Sequence, residues 1–120
     1  MKDFCIIGSG ISGATIANAL SKKYSLDVYD KARGAGGRSS NKKLKKNESF
    51  DHGVQYISPK SVKFKKFIKG LIKKKIVKSW TGKHIFLNTD KKEDKKHTKI
   101  IGKKGNNSIS KYLLILIKRY

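Results

Sequence analysis

A short apolar run followed at once by three spaced glycines, Cys5-Ile6-Ile7-Gly8-Ser9-Gly10-Ile11-Ser12-Gly13, constrains this chain more than any other feature. Glycine at these positions answers three separate steric demands. Gly8 permits a tight turn out of a strand, Gly10 lets the backbone approach a bound group, and Gly13 lets a helix pack closely on that strand. The run Phe4 to Ile7 has the length and apolar continuity of a parallel strand. Ile11, Ala14, Thr15, Ala17, Asn18 and Leu20 then read as a helix with a small-residue face that can lie close to a sheet. A second strand, Leu26 to Asp30, completes a βαβ unit and ends in an acid 22 positions after Gly8.

The free N–H groups and the positive dipole end of such a helix suit a phosphate. An acid at this distance suits the hydroxyls of a ribose. Gly8, Gly10, Ile11, Ser12, Gly13 and Asp30 are therefore the expected contacts of an adenine dinucleotide, against the competing reading of a βαβ unit that binds nothing. The next segment, Lys31-Ala32-Arg33-Gly34-Ala35-Gly36-Gly37-Arg38, bears on which dinucleotide. Gly36 and Gly37 allow backbone approach, and Arg38 offers a planar fork suited to phosphate oxygens. A nicotinamide dinucleotide has no need of a second glycine–arginine loop here, whereas an extended flavin dinucleotide runs past this point. Lys31, Arg33, Gly36, Gly37 and Arg38 are thus expected to contact FAD. The alternatives are NAD binding with a coincidental loop, and a flexible basic turn. Read together, the two glycine segments resemble the FAD-binding start of the flavin amine oxidase superfamily.

A second constellation follows at Ser49-Phe50-Asp51-His52-Gly53-Val54-Gln55-Tyr56-Ile57-Ser58-Pro59. It resembles the segment that follows the GGR loop in renalase-like NAD/FAD-dependent oxidoreductases. The resemblance implies that this stretch runs beside the flavin, with Gly53, Val54 and Gln55 near the ring and Tyr56 beside the cavity. It also implies FAD-dependent oxidation of an amine or a reduced nicotinamide-type substrate. His52 has no acid placed to partner it in the sequence and reads as structural, and Asp51 reads as a turn or backbone-bonding residue. The sequence points to no particular catalytic residue.

Pro59 opens a helix with Ser61 as its cap and a stripe of Phe64, Phe67, Ile68, Leu71 and Ile72 beneath a lysine face. Ile76 to Trp80 and His84 to Leu87 read as a hairpin around Thr81-Gly82-Lys83, with Trp80 in the core. Asn41 to Asn47 and Asp90 to Lys96 read as charged loops. Thr98 to Ile101 is a short strand and Gly102 to Gly105 a turn. Ser108 caps a last helix striped by Ile109, Tyr112, Leu113, Leu116 and Ile117. Residues 100–114 resemble the family's stretch Val-Gly-x-x-Gly-Met-Ser-Ala-Leu, with Asn106 or Asn107 standing where the methionine is expected.

At 120 residues the chain has the size of one domain. The expected division is an FAD-binding βαβ unit with its GGR loop over 1–58 and the beginning of a substrate-side α+β region over 59–120. The expected fold class is α/β, a Rossmann-like start followed by part of an α+β region. Set beside the resembled family, the chain reads as the front part of a longer enzyme, so a separate chain carrying the remainder is an expected partner. A non-catalytic dinucleotide-binding fragment that needs a partner chain and a basic nucleic-acid-associated protein are the rival readings.

Thirty Lys+Arg against eight Asp+Glu give a formal net charge of +22, which raises nucleic acid as a partner. Arg33, Arg38 and Arg119 are the only arginines and no nucleic-acid motif is visible, so specific nucleic-acid binding is not expected. No apolar run is long enough to span a bilayer and no secretory leader precedes the first strand, so no membrane partner and a cytoplasmic location are expected. The single cysteine, Cys5, reads as a buried residue in a reduced compartment. No residues show metal-ligand spacing.

Overall fold

The computed structural model of the chain describes residues 1–82, 87 and 98–117. Its first strand, β1 (Phe4–Ile7), leads into helix α1 (Ile11–Leu20) and back to a parallel strand, β2 (Leu26–Tyr29). Phe4 stands opposite Leu26 and Ile7 opposite Tyr29. The start of this pair is pinned by Asp3, whose Oδ2 accepts from the N–H of Ser25 at 2.8 Å and from its hydroxyl at 2.7 Å. Gly8 leaves β1 at φ +97°, a conformation that side chains rarely adopt. A Cβ on Gly13 would stand 1.9 Å from the Gly8 carbonyl oxygen, so α1 approaches the turn as closely as only glycine permits. The α/β class and the βαβ start follow from these elements.

Other segments depart from the sequence expectations. Asn41 to Asn47 is not simply a loop: β3 (Asn41–Lys45) pairs antiparallel with β4 (Glu48–Asp51), with a register shift between Lys43 and Lys45. The pairing is fixed at its base, where Asn41 Nδ2 donates to Asp51 Oδ1 at 3.1 Å. Local composition misled because lysine disfavours strands only weakly and cross-strand partners override it. Cys5 is exposed rather than buried. β1 and β2 form a two-stranded sheet among the described residues, so β1 has a partner on one side only, and Ile7 is 80% exposed.

Helix α2 (Val62–Lys73) begins at Ser61, whose Oγ accepts from the N–H of Phe64 at 3.2 Å, as expected. Its stripe buries Ile68 and Leu71 and leaves Phe64, Phe67 and Ile72 partly open. β5 (Val77–Ser79) pairs antiparallel with β6 (Ile100–Gly102), with Val77 opposite Gly102. The partner expected for β5 at His84 to Leu87 lies, apart from the exposed turn residue Leu87, outside the described residues. Trp80 is 40% exposed and stacks on Tyr56 rather than joining the core.

The last helix, α3 (Ser108–Ile115), starts from Asn107, so Ser108 is its first residue and not its cap. Ile109, Leu113, Leu114 and Ile117 are buried, while Leu116 is half exposed. The helix ends at Ile115, so Leu116 leaves the stripe and Leu114 takes its place. α1 packs directly on α3 through Ala14 and Ala17, both fully buried, and Asn18 Nδ2 donates to the Leu113 carbonyl at 3.0 Å. Ile68, Leu71, Val77 and Ile100 extend this core beneath α2 and the β5–β6 pair.

Candidate functional site

The site is built where β1 gives way to α1. Gly10 is the N-cap of α1, extended at φ −66° and ψ −179°, and it supplies no side-chain cap. Helix geometry leaves the N–H groups of Ile11, Ser12 and Gly13 without intrahelical acceptors, at the positive end of the helix dipole. There is no acidic side chain in this first turn. An anion placed there would meet free donors and no repelling carboxylate on the helix.

Asp30, just past β2, closes the other side of the turn. Its Oδ2 accepts from the Ser9 N–H at 2.6 Å and from the Ser9 hydroxyl at 2.5 Å, and its Oδ1 accepts from the Ala32 N–H at 2.8 Å. The Ser9 hydroxyl, then the Ala32 and Ser9 N–H groups, hold the carboxyl down to about 2 from its ordinary 3.8. Asp30 therefore stays ionised at all but strongly acidic pH. A carboxylate has about four acceptor positions, so these bonds leave roughly one for a further donor.

The second glycine loop lies against the first. Gly36 donates its N–H to the Ser9 carbonyl at 3.1 Å and pairs with Gly10 in a parallel bridge. A Cβ on Gly37 would stand 3.2 Å from the Gly10 Cα, so the two backbones are in direct contact. Arg38 is in the 3-10 turn Gly37–Ser39 and is exposed. Lys31 and Arg33 lie on the exposed stretch leaving β2, and neither makes an ion pair or side-chain hydrogen bond among the described residues. The geometry thus gathers Gly8, Gly10, Ile11, Ser12, Gly13, Asp30, Gly36 and Gly37, and leaves Lys31 and Arg33 at the margin.

The third segment joins through Arg38. Its carbonyl accepts from the Val54 N–H at 2.9 Å, and a Cβ on Gly53 would stand 1.9 Å from that carbonyl oxygen. Gly53, Val54 and Gln55 are therefore held against the second loop, with their own side exposed. Beside them opens an apolar cavity of about 520 Å³, with Ile11, Ser39, Val54, Phe64, Phe67 and Asn106 in its wall.

Residues 6–71 match the family model of the NAD(P)-binding Rossmann-like domain. The chain belongs to this family. The match spans the glycine turn, Asp30, both arginine–glycine positions of the second loop and the Gly53–Gln55 segment of this Rossmann-like domain. It makes the protein a binder of a dinucleotide cofactor, consistent with the open first turn of α1.

Two residues that organise the site were not singled out from sequence. Ser9 sits between two glycines and its tie to Asp30 spans 21 residues, so no local pattern announces it. Asn106 is 1% exposed and bonds to the Gly53–Gln55 region. Its only sequence signal was its departure from the methionine of the resembled motif. His52 is exposed, with its ring set edge-on to Phe50. Asp51 bonds to a backbone N–H, that of Asn106, as expected. Among the described residues no group of three His, Cys, Asp or Glu could hold a metal ion, and no helix is long and apolar enough to cross a membrane.

Proposed function

We propose that this Rossmann-like domain holds FAD as part of a flavin-dependent oxidoreductase of the amine oxidase type, on the renalase-like branch. The observation that carries the reading is the joining of three segments into one rim: Gly10 against Gly36 and Gly37, and Gly53 and Val54 against Arg38, with Ile11, Ser39 and Val54 from these segments lining the apolar cavity. A nicotinamide dinucleotide needs the first of these alone. The family itself is found in FAD-dependent oxidoreductases.

In this reading the pyrophosphate takes the N–H groups of Ile11, Ser12 and Gly13, with Arg38 as a cation on the same rim. Asp30 gives its remaining acceptor position to a ribose hydroxyl, and Lys31 and Arg33 add positive charge at the outer edge. A cavity of about 520 Å³ falls within the usual range for small-molecule sites and, lined by Ile11, Val54, Phe64 and Phe67, suits a flat aromatic ring. A flavin held here would supply hydride-accepting chemistry toward an amine or a reduced nicotinamide-type substrate. The chain's own part is to bind, orient and keep water from the ring. Residues 1–58 then carry the cofactor and residues 59–120 begin the substrate side.

The test is a visible absorption spectrum of the purified chain before and after incubation with FAD and desalting, with NAD as competitor. Retained flavin bands that NAD does not displace are the expected result. A folded chain that takes up NADH and loses all FAD overturns the flavin reading in favour of nicotinamide binding.

A further inference from the structure

We propose that Asn106 is the positioning residue for the segment Gly53–Gln55, and that its carboxamide fixes how this backbone is presented to the cofactor. The inference rests on the flavin reading above for the identity of the ligand. Its geometric part stands on the unliganded chain.

Gly53, Val54 and Gln55 lie outside any strand or helix and are exposed, so no ladder of backbone bonds holds them. Val54 has its N–H on the Arg38 carbonyl, and the next anchors are the paired bonds between Ile57 and Ile100, at 2.8 and 2.9 Å. Between these anchors the Tyr56 ring stacks on Trp80, and the Val54 and Gln55 carbonyls are met from the interior by the side chain of Asn106. Asn106 Nδ2 donates to the Val54 carbonyl at 2.6 Å and to the Gln55 carbonyl at 3.1 Å. Both amide hydrogens are thereby used on two successive carbonyls. Its Oδ1 accepts from the Gly102 N–H at 2.8 Å, and its own N–H donates to Asp51 Oδ1 at 2.8 Å. Four bonds thus tie a 1%-exposed residue to three separate stretches of chain.

The consequence lies in the peptide planes. A trans peptide points its C=O and N–H in opposite directions. With the Val54 carbonyl drawn to Asn106, the N–H of Gln55 is turned away from it. No acceptor among the described residues takes that N–H. Asn106 therefore fixes an outward donor in the segment whose neighbour Val54 lines the apolar cavity, and Asn106 itself forms part of the same wall. An apolar side chain of similar size fills the space and leaves two carbonyls unpaired. The segment is then free to rotate its peptide planes, while the glycine turn at Gly8–Gly13 is untouched.

The experiment compares wild type with Asn106→Leu and Asn106→Asp. The leucine variant removes every side-chain bond at similar volume. The aspartate variant keeps an acceptor for Gly102 and exchanges the two donors for a charged oxygen that repels the same two carbonyls, so it carries the comparison should the leucine variant not fold. Amide exchange at Val54 is read on the unliganded chains with Ala14, in α1, as the reference. FAD and ADP affinities and the bound-flavin spectrum are then measured. In both variants Val54 exchange is expected to rise about tenfold against an unchanged Ala14. FAD affinity is expected to fall about tenfold, with ADP affinity held within about twofold. The bound-flavin bands should move toward those of free flavin. Unchanged Val54 exchange, or equal losses for ADP and FAD, overturns the positioning role. A wild-type chain that binds ADP and not FAD overturns the flavin reading alone, and the exchange comparison still decides what Asn106 does.

Discussion

Ser9 and Asp30 are joined twice: one carboxylate oxygen of Asp30 accepts both the backbone N–H of Ser9 at 2.6 Å and its hydroxyl at 2.5 Å. The end of β2 is thereby fastened to the middle of the glycine turn, and the tie involves a charge. Its strength must follow the ionisation of Asp30.

The Asp30 carboxyl is held at about 2 against an ordinary 3.8, chiefly by the Ser9 hydroxyl. Because the folded value is depressed, the stabilisation is fully present above the unfolded value and is lost as pH falls through the folded one. Asp30→Asn is expected to melt below wild type near neutral pH, with the gap closing as pH is lowered from about 5 toward about 2. Circular dichroism melts across that range provide the check. Ser9→Ala should move the Asp30 carboxyl back toward 3.8, read by carboxyl NMR titration. A gap independent of pH would show that the carboxylate contributes nothing through its charge.

Two glycines make opposite predictions under the same substitution. A Cβ on Gly13 meets the Gly8 carbonyl oxygen at 1.9 Å, whereas one on Gly70, within α2, meets nothing within 4 Å. Gly13→Ala is expected to destabilise by about 1–3 kcal/mol through forced backbone displacement. Gly70→Ala is expected to stabilise by about 0.5–1 kcal/mol, by relieving the entropy cost of glycine in a helix. Denaturant titration of both variants measures the two signs directly.

At the start of α2, Ser61 Oγ satisfies the Phe64 N–H. Ser61→Ala should cost about 1 kcal/mol, and Ser61→Asp should restore most of it because aspartate caps as well and adds a favourable charge at the helix start. Thermal melts of the three chains test this.

The thiol of Cys5 is exposed on β1. It is expected to react with a disulfide reagent in the native chain nearly as fast as in denaturant. Strong native-state protection would mean that something covers this strand in solution.

The parts legible in the sequence are those governed by local sterics and periodicity. The turn at Gly8, the close approach at Gly13, the second strand (expected over Leu26–Asp30, found over Leu26–Tyr29) and the Ser61 cap each depend on a few neighbouring residues. The β3–β4 hairpin was missed because Lys42 and Lys43 owe their strand conformation to Phe50 and Ser49 across the ladder, not to their own preference. The exposure of Cys5 and Trp80 was missed for a related reason. Apolar type reports a tendency to be buried, while the neighbours that do the burying come from elsewhere in the fold.

By itself the sequence determined the βαβ start, the glycine positions its turn demands and the lysine-rich face of α2, because steric limits and helical period act within a few residues of chain. Only the tertiary structure decided that Ser9 engages Asp30, that Gly10 rests on Gly36 and Gly37, and that Asn106 holds the carbonyls of Val54 and Gln55. These ties cross from about twenty to more than fifty residues of sequence. A hydrogen bond across that span depends on where the whole core places its two ends, and no local pattern of residues encodes that placement.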